Sequence, residues 1–227
     1  MSSVIVARTI TNALRYADVV HPTLPALSPD ASALNRLTHC PSKLREAFFL
    51  SLEGSIRSFA PKALPETDLS PNELLHRCFA AVDAAKYTLH DADNSRQLYN
   101  NIVYCQSLIL LVVASDRPGT AIGSTAQLLG QIAGCITESG LNDSRTLDLL
   151  REQDQEAYSA ARRVFWTAYI LDRLHASSRS KDVMLPLHSG SLSRDEYTAL
   201  GGDVGYHLAR RLPLVQRRLQ LTPHRGC

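Results

Sequence analysis

The stretch Ala161–Leu174, reading ARRVFWTAYILDRL, constrains the fold more than any other part of the chain. Val164, Ala168, Leu171 and His175 recur at helical spacing, and Phe165, Tyr169 and Asp172 form the adjoining row. A face that broad and apolar belongs to a helix packed on more than one side. Arg162, Arg163 and Arg173 bracket it, and the only tryptophan, Trp166, lies beside it. Burying an indole dominates local packing. The stretch is expected to be the central helix of an all-helical domain.

The rest of the chain reads the same way. Val6, Ile10, Leu14 and Ala17 predict a first helix from Val4 to Val20, which ends at His21-Pro22 because a residue before proline is pushed out of the α region. Pro22, Pro25 and Pro29 mark an extended connector, and a short helix is expected over Ala31–Leu37. Leu44, Phe48, Leu52, Ile56 and Phe59 mark the next helix. Ser70-Pro71-Asn72-Glu73 supplies a capping box with proline at the first helical position, and Leu75, Cys78, Phe79, Val82 and Leu89 continue from it. A helix capped by Asn94 or Ser95 carries Leu98, Ile102, Cys105, Ile109 and Val112 on one face. Gly123–Ser139 forms a small-residue helix that stops at Gly140, with Gly130 and Gly134 placed to admit a neighbouring helix. Asn142 or Asp143 caps a short helix, Ala157 to about Ser178 follows, and Ser193 with Glu196 opens a last one. No segment alternates with period two. The expected fold is all-α, an irregular array of about eight or nine helices without a sheet, in a single domain over residues 1–227.

Composition excludes several classes. Lys and Arg number 24 against 22 Asp and Glu, a net charge of +2, so nothing marks a nucleic-acid surface. Arg210, Arg211, Arg217 and Arg218 would form a basic patch only on a helix that Pro213 interrupts. Cys40, Cys78, Cys105, Cys135 and Cys227 never form a CxxC pair, which fits a reducing compartment rather than a disulfide framework. The longest apolar run, Leu108–Ala114, is well short of the ~20 residues of a membrane span. The first 17 residues hold Arg8 and Arg15 and no acid, as a transit peptide would, but read equally as an amphipathic helix.

Chemistry-bearing constellations are missing from the local sequence. There is no HxxxH, no GxSxG and no phosphate loop, and His39-Cys40 stands without neighbouring ligands. Asp91, Asp93 and Ser95 open like a calcium loop, but Arg96 and Ile102 occupy the positions that require glycine and glutamate. No catalytic and no metal-binding residue is assigned, and ligand-binding residues stay unassigned.

Arg162-Arg163-Val164-Phe165-Trp166 followed by Ala168-Tyr169-Ile170-Leu171-Asp172-Arg173 resembles the signature of the fungal-specific transcription factor domain, the middle homology region of zinc-cluster regulators. The Gly119-Thr120-Ala121 turn, Leu128, Leu129 and Ile132, Glu138-Ser139-Gly140-Leu141, and the opening Val20-His21-Pro22-Thr23-Leu24-Pro25 are similar to that family's pattern too. The likeness runs from about Tyr16 to Leu187, and Cys40–Phe59 looks most like members related to glucose-transport regulators. Two departures stand out. The family's glycine-proline turn after this helix is missing from Ser177–Asp182, and the likeness fades after Leu187, so the domain is expected to be incomplete at its C-terminus.

The resemblance implies a nuclear, non-enzymatic regulatory (effector or inhibitory) domain that governs RNA polymerase II transcription. It implies that Arg162, Arg163, Phe165, Trp166, Tyr169, Asp172 and Arg173 are structural, with Asp172 paired to an arginine at a helix junction. The family's six-cysteine DNA-binding cluster is not in this sequence, so zinc and DNA contact are expected only of the parent protein, and the chain itself needs no cofactor. Expected partners are transcriptional co-regulators or a small-molecule effector, with no membrane. Two alternatives stay open: a stand-alone helical adaptor, and a helical enzyme or small-molecule carrier with a pocket floored by Tyr169, Asp172 and His175. Target genes, the sense of regulation and the oligomeric state are not legible in the residues.

Overall fold

The structure, a computed structural model, describes residues 3–21, 25–28, 31–89, 94–115, 122–179 and 182–185. They form α1 (Ser3–Val19), a 3-10 helix (Ala31–His39), α2 (Ser42–Phe59), α3 (Pro71–Lys86), α4 (Asn94–Ser115), α5 (Ile122–Glu138), α6 (Ser144–Gln153) and α7 (Gln155–Arg179). The class is all-α, with no strand among the described residues. The described helices are seven α-helices and one 3-10 helix, against the eight or nine expected: the Ala31 segment winds as a 3-10 helix, and the helix from Ser193 lies outside the described residues. The arginines after Arg210, and Asp91 and Asp93, lie outside them too.

Local signals set most helix ends. At α3, the Ser70 hydroxyl accepts from Glu73 N–H (3.3 Å) while Glu73 accepts from Ser70 N–H (2.8 Å), the reciprocal pair a capping box requires. That carboxylate is held below its ordinary range first by its hydrogen bonds to Ser70. Gly140 takes φ 66° just beyond α5, a left-handed position that glycine accepts without penalty. Asp143 accepts from Thr146 N–H (3.2 Å) to start α6. Asp154 ends α6 and starts α7, accepting from Glu156 N–H (3.1 Å) and Ala157 N–H (3.0 Å). One carboxylate thus separates two helices with a single intervening residue.

The hub of the bundle is α4, not α7. Helix α4 packs against α2, α3, α5 and α7, whereas α1 leans on α2 and α6 on α7. Every residue from Ile102 to Ser115 is buried, so its apolar face is a whole circumference rather than a stripe. Arg96–Ser115 is indeed long and apolar enough by composition to cross a membrane, contrary to the expectation drawn from the Leu108–Ala114 run. Its burial, 83% of that window, accounts for the composition as that of a core helix. Ser107 and Ser115 satisfy their hydroxyls on their own helix, donating to Val103 O (2.8 Å) and Val112 O (2.9 Å).

Close helix approach occurs at Gly54 of α2, which the sequence reading passed over. A methyl there would lie 3.2 Å from Ala114 Cβ on α4 and 3.4 Å from Cys78 Sγ on α3. Gly130 and Gly134 do not serve this purpose. Nothing lies within 4 Å of a Cβ at Gly134, and only Met184 Sδ (3.9 Å) at Gly130. Three apolar positions also depart from expectation. Helix α1 turns Asn12 and Tyr16 inward, with Val20 buried just past its end, and leaves Leu14 54% exposed, because the Tyr16 hydroxyl has backbone partners to meet inside. Phe59, at the end of α2, is exposed, and Leu89 is buried but lies beyond the end of α3 at Lys86.

Candidate functional site

Helix α7 carries two arrangements of polar side chains, one at each end of its buried stretch. At the C-terminal end, Asp172 and Arg173 are both almost fully buried and joined at 2.8 Å. Asp172 accepts from Met184 N–H (3.0 Å) and Leu185 N–H (2.9 Å), and Arg173 donates to Leu185 O (2.7 Å). The pair therefore clasps residues 184–185 against the helix and seats Leu185 in the core. A buried ion pair holds its place only when its remaining donors and acceptors are satisfied, and here backbone groups supply those partners. Asp172 does meet an arginine, its chain neighbour Arg173.

Between the two ends lies an aromatic cluster. Trp166 meets Phe165 edge-on (ring centroids 5.0 Å) and Tyr169 likewise (5.6 Å), and all three are buried. Arg173 sits 4.2 Å from the centre of the Tyr169 ring and Arg162 5.4 Å from that of Trp166. The Trp166 indole N–H has no hydrogen-bond partner, so this residue contributes area and shape rather than polar bonding. Of the residues read as a pocket floor, Tyr169 and Asp172 are sealed in and His175 is half-buried. They line neither of the pockets described for this structure.

The N-terminal end of α7 borders an open-sided cavity of about 380 Å³ lined by α1, the connector, the 3-10 helix, α2, α4 and α7. Its back wall is built by Tyr16 and Gln106, which fix the connector. Tyr16 Oη accepts from Ala26 N–H (3.1 Å) and Leu27 N–H (3.4 Å), and Gln106 Nε2 donates to Ala26 O (3.2 Å). Leu27, Leu34, Leu37 and Phe48 make the apolar side. Arg36 binds Asp154 (2.6 Å) and the lining residue Glu156 (2.8 Å), with its guanidinium 5.9 Å from the centre of the Tyr99 ring. Burial opposes the charge of Asp154, but the Arg36 bond and the two helix N–H groups outweigh it and hold the carboxyl below its usual value.

Among the described residues, two charged side chains line this cavity, Glu156 and Arg163. Glu156 is paired with Arg36. Arg163 has no carboxylate partner among the described residues, and its buried Nε–H makes no hydrogen bond. Burial draws its pKa down, partly offset by Tyr16. His21, beside it, is likewise depressed, by burial first and then by the Arg163 charge. Arg163 is thus placed at a cavity wall rather than in the bundle's polar bonding, which the motif alone does not reveal. The placement of Arg163 becomes legible only once the connector, fixed by Tyr16 and Gln106, lines the same cavity as α7.

No metal-ligand cluster of three or more His, Cys, Asp or Glu occurs among the described residues. His39 points outward while Cys40 is buried, so that adjacent pair does not converge. Burial pushes the Cys40 and Cys78 thiols up to about 11 and about 12.

The family model described as the fungal specific transcription factor domain matches residues 58–193, more than half of the 227. It takes in α3 to α7 and the whole Asp172–Arg173 clasp. It begins at Ser58, so the Tyr16–Pro25 opening and nearly all of the Cys40–Phe59 stretch precede the match. No curated protein and no solved structure is significantly similar to this chain. The matched stretch carries the RRxFW and LDR elements on one buried helix, and the chain belongs to the fungal specific transcription factor domain family.

Proposed function

We propose that this chain is the regulatory domain of a fungal zinc-cluster transcription factor, acting on RNA polymerase II transcription in the nucleus while another segment holds DNA. The family match over 58–193 carries this reading, since it spans the hub helix α4 and the signature helix α7 together. The wide spacing of the cysteines in sequence, with no CxxC pair, supports a zinc cluster located elsewhere in the parent protein, and the balanced charge supports a module that does not itself grip a phosphate backbone. Arg162, Phe165, Trp166, Tyr169, Asp172 and Arg173 serve this function by holding α7 in the bundle. Co-regulators or a small-molecule effector would act by favouring one packing of the helices over another.

The second reading, a small-molecule-binding helical protein, draws on one observation, the cavity beside Arg163. It joins the first if the regulator answers a ligand. Titration of the purified 227-residue chain against promoter DNA over a salt series tests the division of labour. The expected result is no binding at low salt. Tight binding that falls steeply with salt would make this chain a DNA reader and overturn the proposal.

A further inference from the structure

We infer that the cavity between the connector and α7 binds a small organic carboxylate, with its anionic end on Arg163 and its apolar body against Leu27, Leu34 and Phe48. The inference deepens the regulatory reading and rests on it only for the consequence of binding, not for binding itself.

Three observations carry it. The first is an unsatisfied donor: the Arg163 Nε–H is buried and bonds to nothing, a costly state for a charged group unless an anion completes it. On the same helix, Arg173 has both Asp172 and Leu185 O, and Arg162, whose Nε–H is also buried without a hydrogen bond, lies over the Trp166 ring and outside the cavity lining, so Arg163 is the one that faces the cavity. The second is the charge balance of the lining. Among the described residues Glu156 is the one lining acid and is drawn to Arg36 at 2.8 Å, which leaves Arg163 as the one lining cation with no carboxylate partner among them. One guanidinium suits a monoanion, and its planar fork matches a carboxylate. The third is shape. About 380 Å³ bounded by leucines and a phenylalanine accommodates a branched or aromatic body rather than a bare inorganic anion.

The cavity also straddles the edge of the family match. Arg163, Tyr99 and Gln106 lie within 58–193, whereas Leu27, Leu34 and Phe48 precede it. The anion contact thus comes from the shared part of the fold and the apolar selectivity from this chain's own N-terminal segment.

The test is a ligand-observed binding screen on the full chain. It uses a panel of aryl and branched-chain carboxylates, 4-phenylbutyrate among them, each with its uncharged amide, and with inorganic phosphate and sulfate as controls. The expected result is saturable binding of at least one carboxylate, weakened tenfold or more in its amide and in Arg163→Gln, with phosphate and sulfate not competing. Ala160→Leu, which fills the cavity while keeping Arg163, is expected to weaken the same ligand at an unchanged or raised thermal midpoint. This second variant keeps the test decisive if Arg163→Gln does not fold. Binding that ignores the amide exchange, survives Ala160→Leu, or is absent across the panel overturns the assignment. Because binding is read on the purified chain, a failed transcription assay would leave the site standing, and a failed screen would leave the regulatory reading standing.

Discussion

Asp172 and Arg173 hold the two ends of one residue: Asp172 accepts from Leu185 N–H at 2.9 Å while Arg173 donates to Leu185 O at 2.7 Å. Neighbours in sequence normally diverge around a helix, yet here their side chains converge on the segment that follows it. The ion pair therefore works as a clasp between helix and chain, with the carboxylate and guanidinium each completed by backbone.

Removing one half should leave the other as a buried, unpaired charge. Asp172→Ala is expected to cost about 3–5 kcal/mol in urea unfolding, and the Asp172→Ala, Arg173→Ala double variant less than the sum of the single ones. Additive losses would show that the two side chains act independently.

Trp166→Ala should cost about 3–5 kcal/mol, since the ring is buried against Phe165 and Tyr169 and leaves a cavity. Trp166→Phe should cost less, because the indole N–H it deletes bonds to nothing. Equilibrium denaturation of both variants checks the order. Wild-type stability in Trp166→Ala would remove the residue from the core.

The glycines separate packing from propensity. Gly54→Val should destabilise by about 1–3 kcal/mol, because Ala114 and Cys78 already stand within contact distance of a Cβ. Gly130→Ala, exposed on α5 with only Met184 Sδ in ordinary contact (3.9 Å) with the new methyl, should stabilise by about 0.5–1 kcal/mol. Thermal midpoints of the two variants should move in opposite directions.

Asp154 gives the structure an acid-side dependence. Its folded pKa lies below the ordinary 3.8, so its contribution is present above that value and is lost as pH falls through the folded one. Asp154→Asn keeps a capping side chain but not the Arg36 pair, and should cost about 0.5–1 kcal/mol at neutral pH, as expected for a part-exposed pair. Below pH 4 the gap between the wild-type and Asp154→Asn midpoints should close. A gap that persists there would assign the effect to capping alone.

Helix positions were largely legible from the sequence because caps and prolines act locally: Ser70 with Glu73, Asp143 and Gly140 mark ends in the structure as their residue types predict. Which helix lies at the centre was not. Moderate periodicity in α4 suggested one buried face, whereas burial from Ile102 to Ser115 depends on four neighbours that no local pattern names. The same reason hid Gly54, whose small size matters only where α2 meets α3 and α4, and gave Gly130 a role it lacks. Leu14 misled because hydrophobic spacing competes with the partners of the Tyr16 hydroxyl, which sit ten and eleven residues away. The Asp172–arginine pairing was anticipated from the family motif. The cavity at Arg163 was not, since its walls come from six separate segments.

The most direct test of the regulatory reading places the chain between a heterologous DNA-binding domain and an activation domain in a fungal reporter strain, with output corrected for promoter occupancy. The account expects the intact chain to change output several-fold relative to a flexible linker of equal length, and Trp166→Ala to abolish that change while occupancy stays constant. Equal output from chain and linker at equal occupancy would contradict it.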